Sequence, residues 1–241
     1  MEQHHIVKSF DDELGLLDSK IAEMGGLSES LVSDSIDSLA RRDAQLASQV
    51  IERDKKLDFL ENEVNDISLR VLALRQPMAE DLRAVVAALK ISADIERIGD
   101  LATNVAKRAI TISTSPPVAS TVTIIRMGII VQGMIKSALD SYIARDAHQA
   151  MDVWNRDEEV DQLHTSLFRE MLTYMLENPP TITACTHLMF AAKNIERIGD
   201  HVTNIAERVY FLVTGDHPSS ERPKEDTSSF TKVEFKENKE Q

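Results

Sequence analysis

One cysteine in 241 residues, Cys185, leaves no partner for an intrachain disulfide, and its apolar helical surroundings mark it as a buried hydrophobe rather than a nucleophile. Glycine and proline are scarce, eight and seven, and aromatics make up 5% of the chain, which excludes a turn-rich β sandwich. Apolar residues still reach 42%, too many for a disordered chain. Positive charge is in deficit: 27 Lys and Arg stand against 40 Asp and Glu, a formal net charge of −13. Binding to DNA or RNA through phosphates needs clustered cations, so no nucleic-acid partner is expected. No apolar run reaches the roughly 18 residues that span a bilayer. The opening MEQHHIVKSF has neither a basic leader nor an apolar h-region. The expected compartment is the cytoplasm, with membranes met only through partners.

What the chain does have is long stretches of helical apolar spacing, cut by proline at 77, 116, 117, 179, 180, 218 and 223. The cuts predict an all-α chain of six helices, three on each side of a linker at Ser115, Pro116 and Pro117. In the first half they run from about Phe10 to Arg42, weakened at Gly25 and Gly26, from Ala44 to Arg75, and from about Asp81 to Ser113. In the second half they cover about 119–145, 147–177 and 181–214. The organisation is therefore a first three-helix repeat over 1–114, a second over 118–214, and a polar tail over 215–241. That tail is expected to be disordered, with Phe230, Val233 and Phe235 as its apolar residues.

The two halves are related in letters too. Residues 94–108, DIERIGDLATNVAKR, and 194–208, NIERIGDHVTNIAER, agree at ten of fifteen positions, which points to a duplicated unit. Upstream, Arg53, Asp54, Leu57, Asp58 and Leu60 match Arg156, Asp157, Val160, Asp161 and Leu163 at an offset of 103, against 100 in the later segment. The difference falls in the intervening turn, where length changes are tolerated.

At about 100° per residue, Ile95, Ile98, Ala102, Val105 and Ala109 form one core-facing stripe, and Leu60, Val64, Ile67 and Val71 form another. Glu96, Asp100 and Thr103 then lie opposite the core, as do Asp54, Asp58 and Glu61. From Asp58 to the turn and back to Asp100 the two paths are each roughly 28 Å long, so the two acids stand level. The same register sets Glu61 beside Glu96 and Asp54 beside Asn104, and in the second repeat Asp157 beside Asn204 and Glu196 beside His164. Like charges one turn apart disfavour a helix by about 0.2–0.5 kcal/mol per pair. A bound cation would offset that cost, and oxygen donors suit Mg, Ca, Mn or Fe. A solvated acidic face is the plainer reading of one such pair. His164, where the first repeat has Glu61, would soften the second site or serve only structurally. Arg97 and Arg197 are placed to pair with the acids, and Gly99 and Gly199 to let a neighbour approach the backbone.

The hairpin RQPMAEDLRAVVAALKISADIERIGD followed by Thr103 and Asn104, and the second box KNIERIGDHVTNIAER, resemble the PhoU family of phosphate-signalling regulators. The R-Q-P turn, the D-K-K-x-D and D-E-E-x-D boxes and the twin E-R-I-G-D boxes occur in the family's order, over nearly all of the chain to about residue 215. The resemblance implies two three-helix bundles related by pseudo-twofold symmetry, a homodimer, and E(D)-x-x-x-D motifs that bind single ions or clusters. Carried onto this sequence, the metal motifs fall on Asp54 with Asp58, Glu96 with Asp100, Asp157 with Asp161, and Glu196 with Asp200. The metal is left open among Mg, Ca, Mn, Fe and Zn. The implied role is a non-enzymatic, cytoplasmic negative regulator of phosphate uptake, in contact with the ATPase subunit of the phosphate ABC transporter and with a sensor histidine kinase. Two alternatives compete. A carboxylate-bridged metalloenzyme would need paired E-x-x-H motifs facing a bundle interior, and only Asp161 and His164 approach that spacing. A purely structural bundle would use its acids for solubility alone.

Overall fold

The computed structural model describes the backbone of residues 2–115, 121–218, 226, 228 and 231, with side chains from residue 12 onward. Among these residues every regular element is helical: α1 (Glu2–Arg41), α2 (Ala44–Arg75), α3 (Glu80–Ser113), α4 (Thr121–Ala144), α5 (Ala147–Asn155), α6 (Asp157–Glu177) and α7 (Ile182–Thr214), with a 3-10 turn at Pro179–Thr181 before α7. The first three helices pack on one another, α7 packs on α4, α5 and α6, and the two sets meet through α1 on α4 and α3 on α7. Pro116 and Pro117 of the expected linker lie outside the described residues.

Local chemistry explains the joints, and the joints repeat. Asp43 caps α2 by accepting from the N–H groups of Gln45 and Leu46, and Asp146 caps α5 by accepting from those of His148 and Gln149. Each cap follows an arginine in the left-handed region, Arg42 at φ 57° and Arg145 at φ 54°. Gln76 ends α2 in the same conformation before Pro77 forbids continuation, and Gly215 at φ 81° ends α7. Arg42 donates to the carbonyls of Ile112 and Ser115 at the end of α3, where unpaired acceptors and the helix dipole favour a cation.

Both sequence-predicted stripes are core: Ile98, Ala102, Val105, Ala109, Val64 and Val71 are fully buried, and Leu60, Ile67 and Ile95 nearly so. Cys185 is buried and free. Gly25 and Gly26 do not interrupt α1.

Two expectations need correction. The helix expected over 147–177 is two helices, because Arg156 donates to Val153 in a tight i−3 turn and Glu159 donates to Arg156 in the same way. No proline or glycine marks the break. Trp154 is sunk into the core with its indole N–H on Glu207 at 3.0 Å, and Asp157, Glu158 and Glu159 open a new helix whose positive end favours acids. The second correction concerns apolar runs: α4 is long and apolar enough to cross a bilayer by length and composition. Half of that window is buried inside the bundle, because α4 carries a stripe of Ile124, Met127, Val131, Met134 and Ile135 into the core.

One link between the repeats is polar. Tyr142, on α4 and fully buried, donates from its hydroxyl to Asp18 on α1 at 2.6 Å, and Arg145 grips both oxygens of that carboxylate at 2.9 Å. Asp18→Ala strands a buried phenol. It is expected to cost about 1–3 kcal/mol, read as a lowered denaturant midpoint, whereas Asp18→Asn retains an acceptor and costs less.

Candidate functional site

Each acidic hairpin is built around a glycine. In the first, Asp54 on α2 lies so close to α3 that a Cβ on Gly99 would stand 2.5 Å from its Oδ1, and would also collide with Leu57. In the second, a Cβ on Gly199 would stand 3.1 Å from Oδ1 of Asp157. The glycine of each E-R-I-G-D box is thus the space an incoming aspartate occupies. A threonine one turn on completes each arrangement: Thr203 lies 3.4 Å from Asp157 Oδ1 while donating to the Gly199 carbonyl at 2.6 Å, and the Thr103 hydroxyl faces Asp54. The level pairings expected with Asn104 and Asn204 therefore shift by about one turn. Asn204 instead donates to Asp94 of the other repeat at 3.2 Å, beside His201, whose Nδ1 lies 2.9 Å from the same oxygen.

Electrostatics confirm that the acids of one hairpin feel those across from them. Burial pushes Asp54 up to about 6; Thr103 opposes the shift, and the charges of Asp58 and Asp100 add to it. Glu96 is also raised, first by burial, then by Asp100, with Arg97 opposing and Glu61 and Asp58 adding. Glu196 is pushed up to about 7 by burial, with Lys193 opposing and Asp200 and Asp161 adding. Burial is the larger cause in each case, and the carboxylates facing across the hairpin add to it. Arg97 takes part of the first cluster, 3.0 Å from Asp100 and 3.4 Å from Glu96.

The two hairpins differ in burial, which corrects the expectation that all the acids face solvent. Asp58 is exposed, and Asp54, Glu96 and Asp100 are partly so. Asp157 and Asp161 retain only 2% of their surface, Glu196 5% and His164 4%. Sequence periodicity missed this because it reads one hairpin at a time, and His164, Thr165 and Lys193 also meet a residue from outside it. Asp226, in the C-terminal tail, lies 2.8 Å from the Lys193 ammonium, 3.4 Å from Nδ1 of His164 and 3.5 Å from the Thr165 hydroxyl. Asp226 was marked by no motif, and Lys193 only opened the second box, without a role. The rest of the tail, apart from residues 215–218, Ser228 and Thr231, lies outside the described residues.

As donors for an ion, the first hairpin offers Asp54, Asp58, Glu96 and Asp100, all hard oxygens of the kind Mg, Ca, Mn and Fe take. Their shared repulsion fits a bound cation. No three His, Cys, Asp or Glu side chains among the described residues converge on one point as a closed ion cage would require. The second hairpin offers Asp157, Asp161, Glu196 and Asp200, with Lys193 already 2.9 Å from Glu196.

A family model described as the PhoU domain matches residues 21–109 and 124–209, one match on each side of the linker. The chain is 51% identical over 226 residues to a phosphate-specific transport system accessory protein PhoU homolog of Caulobacter vibrioides, covering 93% of this chain and 98% of that one. Among solved structures, PhoU from Pseudomonas aeruginosa superposes with a TM-score of 0.83 at 39% identity, over 86% of this chain and 100% of that one. The phosphate transport system regulatory protein PhoU from Streptococcus pneumoniae gives 0.81 at 26% identity, over 88% and 100%.

Proposed function

The chain belongs to the PhoU family, and from that premise we propose that it is an accessory regulator of phosphate-specific transport that restrains phosphate uptake and phosphate-starvation signalling from the cytoplasm. It acts as an adaptor, without catalysis of its own, between the ATPase subunit of a phosphate ABC transporter and a sensor histidine kinase, and it works as a homodimer. The observation that carries the regulatory reading is near-full-length identity to a protein named for that accessory role.

The adaptor is a metal-binding one. Asp54, Asp58, Glu96 and Asp100 would hold the ion in the first repeat, and Asp157, Asp161, Glu196 and Asp200 are the corresponding set in the second. The ion would supply fixed positive charge on a surface of net −13 and tie α2 to α3. Support comes from Asp54 and Glu96, raised first by burial and further by the neighbouring carboxylates. A metalloenzyme reading is disfavoured by the sequence, which has no pair of E-x-x-H motifs.

Deletion of the gene is expected to leave phosphate-starvation genes expressed in high phosphate, measured with a transcriptional reporter and restored by the intact gene in trans. Normal repression in the deletion strain would refute the regulatory role.

A further inference from the structure

The second hairpin is not a copy of the first, and two of the differences stand beside its inner acids. Where the first repeat has Glu61, the second has His164; where it has Ala93, the second has Lys193. An acid has been lost and a cation gained around the otherwise equivalent Asp58, Glu96 and Asp100 positions. The Lys193 ammonium bridges two carboxylates, Glu196 at 2.9 Å and Asp226 at 2.8 Å, and Glu196 belongs to the hairpin while Asp226 does not. Asp226 reaches it from 33 residues away with His164 and Thr165 on its other side. The aspartate also accepts from the N–H of Ser228 at 2.9 Å, an Asx-type turn.

Ser228 stands at the edge of an apolar groove of about 320 Å³ between α6 and α7, lined by Phe168, Met175, Met189 and Phe190 as well as His164 and Lys193. Phe190 is half exposed there. The tail is polar apart from three residues, Phe230, Val233 and Phe235, which all follow Ser228 in sequence. An acidic anchor meets a lysine and a histidine at the rim of an apolar groove, and the apolar residues of the tail follow that anchor in sequence.

We propose that the segment of this chain beginning at Asp226 is the resident ligand of the second hairpin, docked in cis through Asp226 on Lys193 and His164 and over the α6–α7 groove. Lys193 then ties Glu196 of the hairpin to Asp226 of the tail, as Arg97 ties Glu96 to Asp100 within the first hairpin. The two repeats are specialised: the first hairpin stays open, and the second is a receptor for an acidic and aromatic segment. This assignment rests on the geometry of Asp226 and not on the metal reading, so the two stand or fall separately.

The test is hydrogen exchange on the full-length protein in chelator, which removes any metal contribution. In the wild type, amides around Ser228 and on the α6–α7 face are expected to exchange at least tenfold more slowly than in Asp226→Lys, which places the tail beside Lys193 with the wrong sign. Asp226→Lys alters a tail position and leaves the bundle intact, so amides of α1–α3 serve as the internal control for folding. Combining Lys193→Asp with Asp226→Lys restores opposite charges and is expected to recover at least part of the protection. Equal exchange in wild type and Asp226→Lys would overturn the proposal. Protection that grows with protein concentration would place the tail on a second copy and overturn docking in cis.

Discussion

Metal-free protein titrated with Mn²⁺ at neutral pH is expected to gain stability, and the variant Asp54→Asn/Asp58→Asn/Glu96→Gln/Asp100→Asn is expected to lose that gain. An ion that binds only the folded chain stabilises it by about 2.7 kcal/mol at a concentration 100 times its Kd. For a chain of this length each kcal/mol moves Tm by roughly 2–4 °C, so a rise of about 5–10 °C is the expected reading. In chelator the order reverses, because the four neutral amides no longer repel one another and the variant is then at least as stable as the wild type. The pH dependence has a definite sign. Asp54 is held up to about 6 in the folded chain, above the roughly 3.9 of an unfolded aspartate. Between those values the folded state binds the extra proton, so metal-free wild type loses stability as pH rises through this window and levels off above it. Glu196, pushed up to about 7, extends the same fall toward neutrality. The variant, with Asp54 gone, has a shallower profile over the lower part of the window. A wild-type Tm indifferent to the cation would sink the metal role of this hairpin without touching the fold or the tail.

How much of this was legible beforehand depends on whether the cause lies within one hairpin. The core stripes of α2 and α3 were readable because Ile98, Val105, Val64 and Val71 follow a single helical period. That Asp54 feels both Asp58 and Asp100 was readable from helix rise, but not the finer register, since Asp54 meets Gly99 and not Asn104. The break at Arg156 was not, since no residue there disfavours a helix and the cause is the burial of Trp154 and its bond to Glu207. The contact of His164 with Asp226 was not, because its partner lies more than sixty residues downstream. Nor was the bond between Asp94 and His201, although the letters held a clue: the two positions where the duplicated boxes first disagree, Asp94 against Asn194 and Leu101 against His201, are the two that meet across α3 and α7. Differences between internal repeats marked the contacts that a symmetric copy could not make.

Where the repeats agree, the contact is reciprocal, and glycine carries it. Gly25 on α1 receives Leu139 of α4, both of whose Cδ atoms would lie 2.5 Å from an added Cβ; Gly128 on α4 receives Ile36 of α1, whose Cγ1 and Cγ2 would lie at 3.0 Å. Gly128 and Leu139 are the residues 103 positions after Gly25 and Ile36, so one contact is made twice about the pseudo-twofold axis. The adjacent Gly26 is exposed, with nothing within 4 Å of its Cβ position. Two neighbouring glycines of one helix are therefore expected to respond with opposite signs. Gly26→Ala removes the entropic cost of glycine in a helix and is expected to stabilise by about 0.5–1 kcal/mol. Gly128→Leu forces a branched side chain against the stem of Ile36, where moving a terminal methyl cannot relieve the overlap, and is expected to cost about 1–3 kcal/mol or more. Gly25→Leu, its symmetry mate, is expected to cost a similar amount. In a double-mutant cycle by chemical denaturation, Ile36→Ala opens space for the new side chain, so the pair Ile36→Ala/Gly128→Leu is expected to fall short of the summed single costs by about 0.5–3 kcal/mol. Strict additivity, or a stabilising Gly25→Leu, would mean that α1 and α4 do not approach through these glycines, and the reciprocal packing of the two repeats would have to be abandoned.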